Sequence, residues 1–375
     1  MIIMALDHTR DYFHNSAFLF SPTDLTRTSV VLFFTRWITH YCAPTFVFLA
    51  GISAHLYGSN KTKKALSRFL LTRGLWLAFA ELFIISVEWT FNLSYRFFYL
   101  QVIWAIGISM VALSAVVYLQ PRYILVLALL IIFGHNLLDN VHVPGTGWPS
   151  IAWAAFHESG DFIVGPFKFL IRYSILTWIG IMSAGYCLGA IFVPGCNARS
   201  RQRMLLSLGV GAILLFMILR TLNIYGDPAP WSPQKNGAFD ILSFLNVTKY
   251  PPSLLYILMT LGPAMVFLAL AERPLNCLSE RISVFGRVPM FYYLAHILLI
   301  HLLAIGGALV SGYKASDMII SDRVNRVTAL QGYGFDLPVV YWVWITVVLI
   351  LYPFCQWFDR YKRAHQSTKK WLSYL

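Results

Sequence analysis

The chain alternates long apolar blocks with short polar breaks. The blocks run Val30–Tyr57, Phe69–Val87, Phe98–Tyr118, Tyr123–Leu138, Arg172–Val193, Met204–Leu222, Ser253–Ala271, Val288–Val310 and Val339–Trp357. Most approach or exceed the roughly 20 apolar residues that a helix needs to cross a bilayer. A tenth block is cut short, because Met1–Leu6 is apolar and then meets Asp7. Six residues rise only about 9 Å as a helix, so the pattern predicts a first span that is a stub or that begins upstream. This stretch lacks the basic n-region and small-residue cleavage site of a signal peptide. The expected fold is all-α: a polytopic transmembrane helix bundle of about ten spans, the first truncated, forming one domain over residues 1–375.

Composition narrows the class. Hydrophobic residues make up 58% of the 375 and charged residues only 12%, against roughly 25% charged in an average soluble domain. A soluble globular fold is therefore excluded. The formal charge is +13, and its placement matters more than its size. Lys61, Lys63, Lys64, Arg68 and Arg73 follow one span, Arg122 another, and Arg199, Arg201 and Arg203 a third. Arg273, Arg281 and Arg287 precede the Val288 block, and Arg360, Lys362, Arg363, Lys369 and Lys370 end the chain. With alternating spans these all fall on one side, which the positive-inside rule makes cytoplasmic. The C-terminus is then cytoplasmic, and the basic excess reads as orientation and attraction to anionic lipid, not as nucleic-acid binding. The longer connections on the other side carry interfacial Trp148, Trp231, Tyr225, Tyr313 and Tyr333, with turn chemistry at Val143–Pro149 and Gly226–Pro230. Loops of that length are usually functional, and a lid over an outward cavity is one use for them.

The five cysteines, Cys42, Cys187, Cys196, Cys277 and Cys355, form no CxxC pair, so neither a disulfide framework nor a metal site is expected. Glycines fall mostly inside helices, where close packing of spans accounts for them. No internal repeat is visible, and nothing matches HExxH, GxSxG or a Walker loop.

Ionisable groups at membrane depth are costly and mark candidate sites. Asp7, Arg10, Asp11 and His14 recur at helical spacing and share a face if the first helix continues, while His8 points about 100° away. A carboxylate beside a histidine suits a general base; mutual salt bridges at a helix end are the plainer alternative. Arg36 and His40 lie four apart on one face, and Pro44 frees the carbonyl of residue 40. That loosens the helix beside a buried histidine; a snorkelling Arg and a packed His would also fit. Glu81 sits deep in its span and calls for a partner on another helix. His296 is central in its block and does not share a face with His301. His135, His142 and His157 show no ligand-like spacing.

At these residues the chain resembles a known family. The segments are MALDHTRDYF at Met4–Phe13, TRWITHYCAPTFVFLAG at Thr35–Gly51, FLLTRGLWLAFAELF at Phe69–Phe83, KYPPSLLYILMTLGPA at Lys249–Ala264 and GRVPMFYYLAHILLIH at Gly286–His301. Their order and spacing are similar to the bacterial branch of the heparan-α-glucosaminide N-acetyltransferase catalytic-domain family (DUF1624), among the transmembrane acyltransferases. The family normally begins with a cytoplasmic Asp-x-x-Arg-Gly stretch that is missing here. The resemblance implies acetyl transfer across a bacterial inner membrane, with acetyl-CoA as cytoplasmic donor and an extracytoplasmic glycan or amino sugar as acceptor. It places Asp7 at the family's polar active-site position and leaves His8, His14 and His40 competing for the histidine. Arg10 and Arg36 are expected to stabilise the oxyanion, with His296 and Lys249 on the substrate. Arg68 and Arg73 are expected to meet the phosphates of CoA. No metal is implied, and a homo-oligomer is left open. A proton-coupled transporter or flippase would use the same residues as a relay, and a non-catalytic membrane subunit is a third reading.

Overall fold

The computed structural model describes residues 1–272, 274, 276–366, 368, 369, 371 and 372. Arg273 and Lys370, placed above on the basic side, lie outside the described residues. In chain order the helices are α1 (Ile2–Phe13), α2 (Val30–Trp37), α3 (Cys42–Gly58), α4 (Lys63–Ala80), α5 (Ser86–Thr90), α6 (Val102–Val116), α7 (Pro121–Gly134) and α8 (Trp148–Phe156). They continue with α9 (Ile175–Leu188), α10 (Ala198–Leu222), α11 (Gly237–Leu245), α12 (Leu254–Leu270), α13 (Cys277–Arg287), α14 (Pro289–Val310) and α15 (Leu337–His365). Each of the nine apolar blocks is mostly helical. Six helical runs among the described residues are long and apolar enough to cross a membrane, and α6 and α12 are shorter apolar helices. The first of the six, Lys63–Thr90, joins α4 to α5 through a π-helical turn at Glu81–Ile85.

Three departures from the sequence pattern stand out. The first helix is not a six-residue stub: it runs on through the polar stretch to Phe13. Intrahelical pairing of Arg10 with Asp7 and a bond from the Thr9 hydroxyl to the Ala5 carbonyl (2.8 Å) keep those polar groups compatible with helix. Next, the Val30–Tyr57 block is broken at a 3-10 turn, Ile38–Tyr41, and resumes as α3. Pro44 dictates the site of the break, since it lacks the N–H that would bond the carbonyl four residues back. The third departure corrects the all-α expectation. A small sheet of β1 (Phe97–Leu100), β2 (Gly160–Val164) and β3 (Phe167–Ile171) is present, with β1 parallel to β3 and β2 antiparallel to it. Gly165, at φ +56°, makes the β2–β3 turn with Pro166. Phe98 therefore belongs to a strand, and its span begins at Val102. Leu100, Phe162 and Ile171 from the sheet pack with Ala154 of α8.

The chain divides into two compact units. One comprises Met1–Cys42, Ile85–Tyr95 and Pro274–Leu375; the other comprises Ala43–Ile84 and Arg96–Arg273. In the first, α1 packs against α14 and α15, and α14 against α5. The Trp344 indole of α15 donates to the Ile2 carbonyl (2.9 Å). In the second, α4 packs on α6 and α10 on α12. Gly74 and Gly107 face each other so closely that a Cβ on Gly107 would lie 2.7 Å from the Gly74 carbonyl oxygen. Apolar attraction between spans is weak in lipid, so such backbone-to-backbone contact supplies dispersion energy instead.

Candidate functional site

The first unit gathers most of the costly polar residues around α1. Arg10 donates through Nη2 to Asp7 Oδ1 (2.8 Å) and Asp11 Oδ1 (2.6 Å). Arg36, from α2, donates through Nη1 to the other Asp7 oxygen and reaches the Thr39 hydroxyl (3.4 Å). Asp7 is thus clamped between two guanidinium groups. Arg10 is 3% exposed and Asp7 9%, so the ion pairs lie in low dielectric, where breaking one side is expensive. The competing salt-bridge reading of this stretch is therefore present in the geometry.

His8 leaves α1 in another direction and meets α14. Its Nδ1 lies 2.9 Å from His296 Nε2, and the two rings stack with centroids 4.9 Å apart at 14°. His296 Nδ1 is 2.6 Å from the Tyr292 carbonyl oxygen, and the Tyr292 ring also stacks on His296, with centroids 4.9 Å apart. Trp89 of α5 meets the His8 ring edge-on at 4.7 Å. Trp89 is itself fixed, because the Tyr12 hydroxyl donates to its carbonyl (2.5 Å). His296 is fully buried and His8 is 9% exposed. A carbonyl oxygen only accepts, so His296 Nδ1 carries the proton and its Nε2 the lone pair. His8 Nδ1 must then donate to it, which places the His8 lone pair on Nε2.

The remaining candidates fall elsewhere. His14 caps the C-terminus of α1 with extended backbone (ψ 135°), and its Nδ1 lies 2.7 Å from the Ser16 hydroxyl. Burial, and then the Arg10 charge, push its imidazole down to about 4. His40 is buried on the 3-10 turn between α2 and α3, and that turn packs against α1. His301 spans the Glu88 and Met318 carbonyls at 3.0 Å each, a structural tie on a different face from His296. Glu81 meets another helix as anticipated, but through backbone: its Oε2 accepts from the Trp104 N–H in the first turn of α6 (2.8 Å).

Lys249, Arg68 and Arg73 belong to the second unit. Lys249 is buried, with its ammonium 5.2 Å from the Tyr250 ring; the Arg172 guanidinium is 5.9 Å from the same ring. Its turn is held by Asp227, which accepts from the Thr248 N–H (2.8 Å) and the Ser253 hydroxyl (2.6 Å). Arg68 is exposed on α4, and the Arg73 guanidinium lies 5.9 Å from the Phe69 ring. Sequence reasoning did not find Trp89 or Tyr292. Tyr292 is one aromatic among many in an apolar block and Trp89 lies just past the end of another, and their role shows only through the histidines they touch. Among the described residues no group of three or more His, Cys, Asp or Glu side chains is placed to hold a metal ion.

The profile of one family, described as heparan-alpha-glucosaminide N-acetyltransferase, catalytic, matches residues 1–226. The chain belongs to this family. The match includes Asp7, His8, Arg10, His14, Arg36 and His40, whereas His296 lies beyond it. Membership implies an acetyltransferase, and with the apolar helices it makes the chain an integral membrane protein. No curated protein matches the chain.

Proposed function

We propose that this protein is a transmembrane acetyltransferase that moves the acetyl group of cytoplasmic acetyl-CoA to an amine or hydroxyl of an extracytoplasmic glycan or amino sugar. His8 is the base. The observation that carries this reading is the hydrogen-bond chain from His8 Nδ1 through His296 to the Tyr292 carbonyl. It holds the His8 lone pair on Nε2, and general-base catalysis needs a positioned lone pair. The acceptor nitrogen or oxygen attacks the thioester carbonyl carbon as His8 Nε2 takes its proton. The tetrahedral intermediate then collapses with C–S cleavage, and the proton passes from His8 to the departing CoA thiolate.

In this reading Asp7 is a positioning residue. Clamped by Arg10 and Arg36, it fixes α1 against α2 and so fixes where His8 sits. With Asp7 and Asp11 ionised the cluster is close to neutral, which favours a framework role for both arginines over oxyanion stabilisation. His14, at about 4, is a weak base near neutral pH. His40 is the second candidate for the base.

The test uses purified full-length protein with radiolabelled acetyl-CoA and glucosamine-terminated or hydroxyl-only sugar acceptors. Thiol release and label on the sugar are the readouts. His8→Ala is expected to lower turnover by about 10²–10⁴-fold, the usual contribution of a general base. Full turnover in His8→Ala together with loss in His40→Ala would move the base to His40. Acceptor movement into liposomes without CoA, and no acetylation, would replace the enzyme reading by transport.

A further inference from the structure

The five basic residues around the start of α4 are not equivalent. Lys63 donates to the carbonyls of Tyr118 (2.9 Å) and Leu119 (3.0 Å), closing the end of α6. The Lys61 ammonium lies 5.2 Å from the Tyr57 ring. Tyr57 stacks on Phe69 at 3.9 Å, and the Arg73 guanidinium lies 5.9 Å from the Phe69 ring. These three cations are engaged within the protein. Lys64 and Arg68, one helical turn apart, are exposed, and the ion pairs among the described residues include neither.

Both line a groove of about 420 Å³ whose other walls are Thr62, Ala65, Phe69 and Thr72. The groove follows α4 for ten residues, a rise of about 15 Å. Its character changes along that length. Two cations and the Thr62 hydroxyl lie at the basic end, and Phe69 and Thr72 lie where α4 enters its apolar run. A groove with Lys64 and Arg68 toward one end and the Phe69 ring toward the other matches an amphiphile, an anionic head joined to an apolar tail. We propose that this groove seats an anionic phospholipid, its phosphate on Lys64 and Arg68 and the start of an acyl chain against Phe69 and Thr72. Basic pockets at the membrane interface bind such headgroups through charge complementarity, and the acyl contact adds the apolar area.

The inference does not depend on acetyl transfer. Native mass spectrometry of the full-length protein, released from micelles with equal phosphatidylglycerol and phosphatidylcholine, reads it directly. Wild type is expected to retain phosphatidylglycerol preferentially. The Lys64→Gln/Arg68→Gln double variant should lose about 30-fold in that affinity, from the usual contribution of two interfacial cations. Thr72→Trp, which fills the groove without changing charge, should lower retention several-fold. Arg122→Gln, a cation outside the groove, should leave it unchanged. Equal retention of the two lipids by wild type, or undiminished phosphatidylglycerol binding by the double variant, would overturn the proposal. So would displacement of phosphatidylglycerol by millimolar CoA, if CoA binding itself required Lys64 and Arg68. That result would make the groove a nucleotide site.

Discussion

Replacing His296 with alanine probes the hydrogen-bond chain without touching the base. His8 Nδ1 donates over 2.9 Å to an acceptor that is fully buried. Removing the acceptor of a buried donor costs about 1–3 kcal/mol. That cost falls on the His8 tautomer whose lone pair is on Nε2, because only this tautomer keeps a proton on Nδ1. A bias of that size corresponds to roughly 5- to 150-fold in the population of the competent form, at 1.36 kcal/mol per tenfold. The expected result is a fall in kcat within that range, with KM for acetyl-CoA changed by less than about twofold. His296→Gln, whose amide oxygen can accept from His8, should recover much of the loss. Steady-state assays of labelled acetyl transfer over a pH series supply both parameters. If His296→Ala keeps wild-type kcat while His8→Ala is inactive, the chain does not set the tautomer and the reasoning fails. If both variants lose KM and kcat alike, His296 acts through packing alone.

Three further outcomes follow from the same geometry. Asp7→Asn leaves Arg10 and Arg36 without their shared carboxylate charge, and should cost about 3–5 kcal/mol of stability. Thermal unfolding of Asp7→Asn beside Asp7→Leu/Arg36→Met measures it, and a pair no more stable than the single variant would contradict the clamp. A Cβ on Gly107 would lie 2.7 Å from backbone oxygen of Gly74, whereas one on Gly211 meets nothing within 4 Å. Gly107→Ala is therefore expected to destabilise by about 1–3 kcal/mol and Gly211→Ala to be neutral or stabilising, as read from unfolding midpoints. His14 has a folded value of about 4 against roughly 6.5 when unfolded. Its unfolded form therefore takes up the proton first as pH falls. Stability should drop between pH 6.5 and about 4 and then level off for this group, and His14→Gln should flatten that part of the profile. An unchanged slope would refute the burial argument.

Much of this was legible in the sequence, for identifiable reasons. Apolar blocks record burial in lipid directly, so each predicted block is mostly helical. Pro44 announced the break beside His40, because a missing N–H acts locally. Cost likewise marked His296, since an ionisable group in mid-span is there for a reason. Other features depend on neighbours distant in sequence. The sequence shows which face His8 occupies, but not that α14, 288 residues later, presents His296 to that face. The sheet was missed because Phe97–Leu100 is apolar and runs almost directly into α6. A four-residue strand there cannot be told from the first turn of a span. The Gly165–Pro166 pair did carry a turn signal, masked by reading its surroundings as one loop. Helix continuation past Asp7 depended on Arg10 pairing within its own helix, which spacing permits but does not require.

The seating of α1 also has a consequence in time. Phe335 bonds the Phe13 carbonyl (2.7 Å) and accepts from the Asn15 N–H (3.0 Å). Asn15 also reaches the Asp336 side chain across 321 residues of sequence. During synthesis at about 5–20 residues per second, those partners emerge roughly 15–65 s after α1. Over most of that interval α1 must hold Asp7, Arg10 and Asp11 in or near the bilayer with one another and, once α2 is made, with Arg36. The intrahelical pairing of Arg10 is therefore a provision for biosynthesis as well as for the finished molecule. A nascent chain stopped before residue 296 would carry Asp7, His8 and Arg10 and still lack the acceptor for His8.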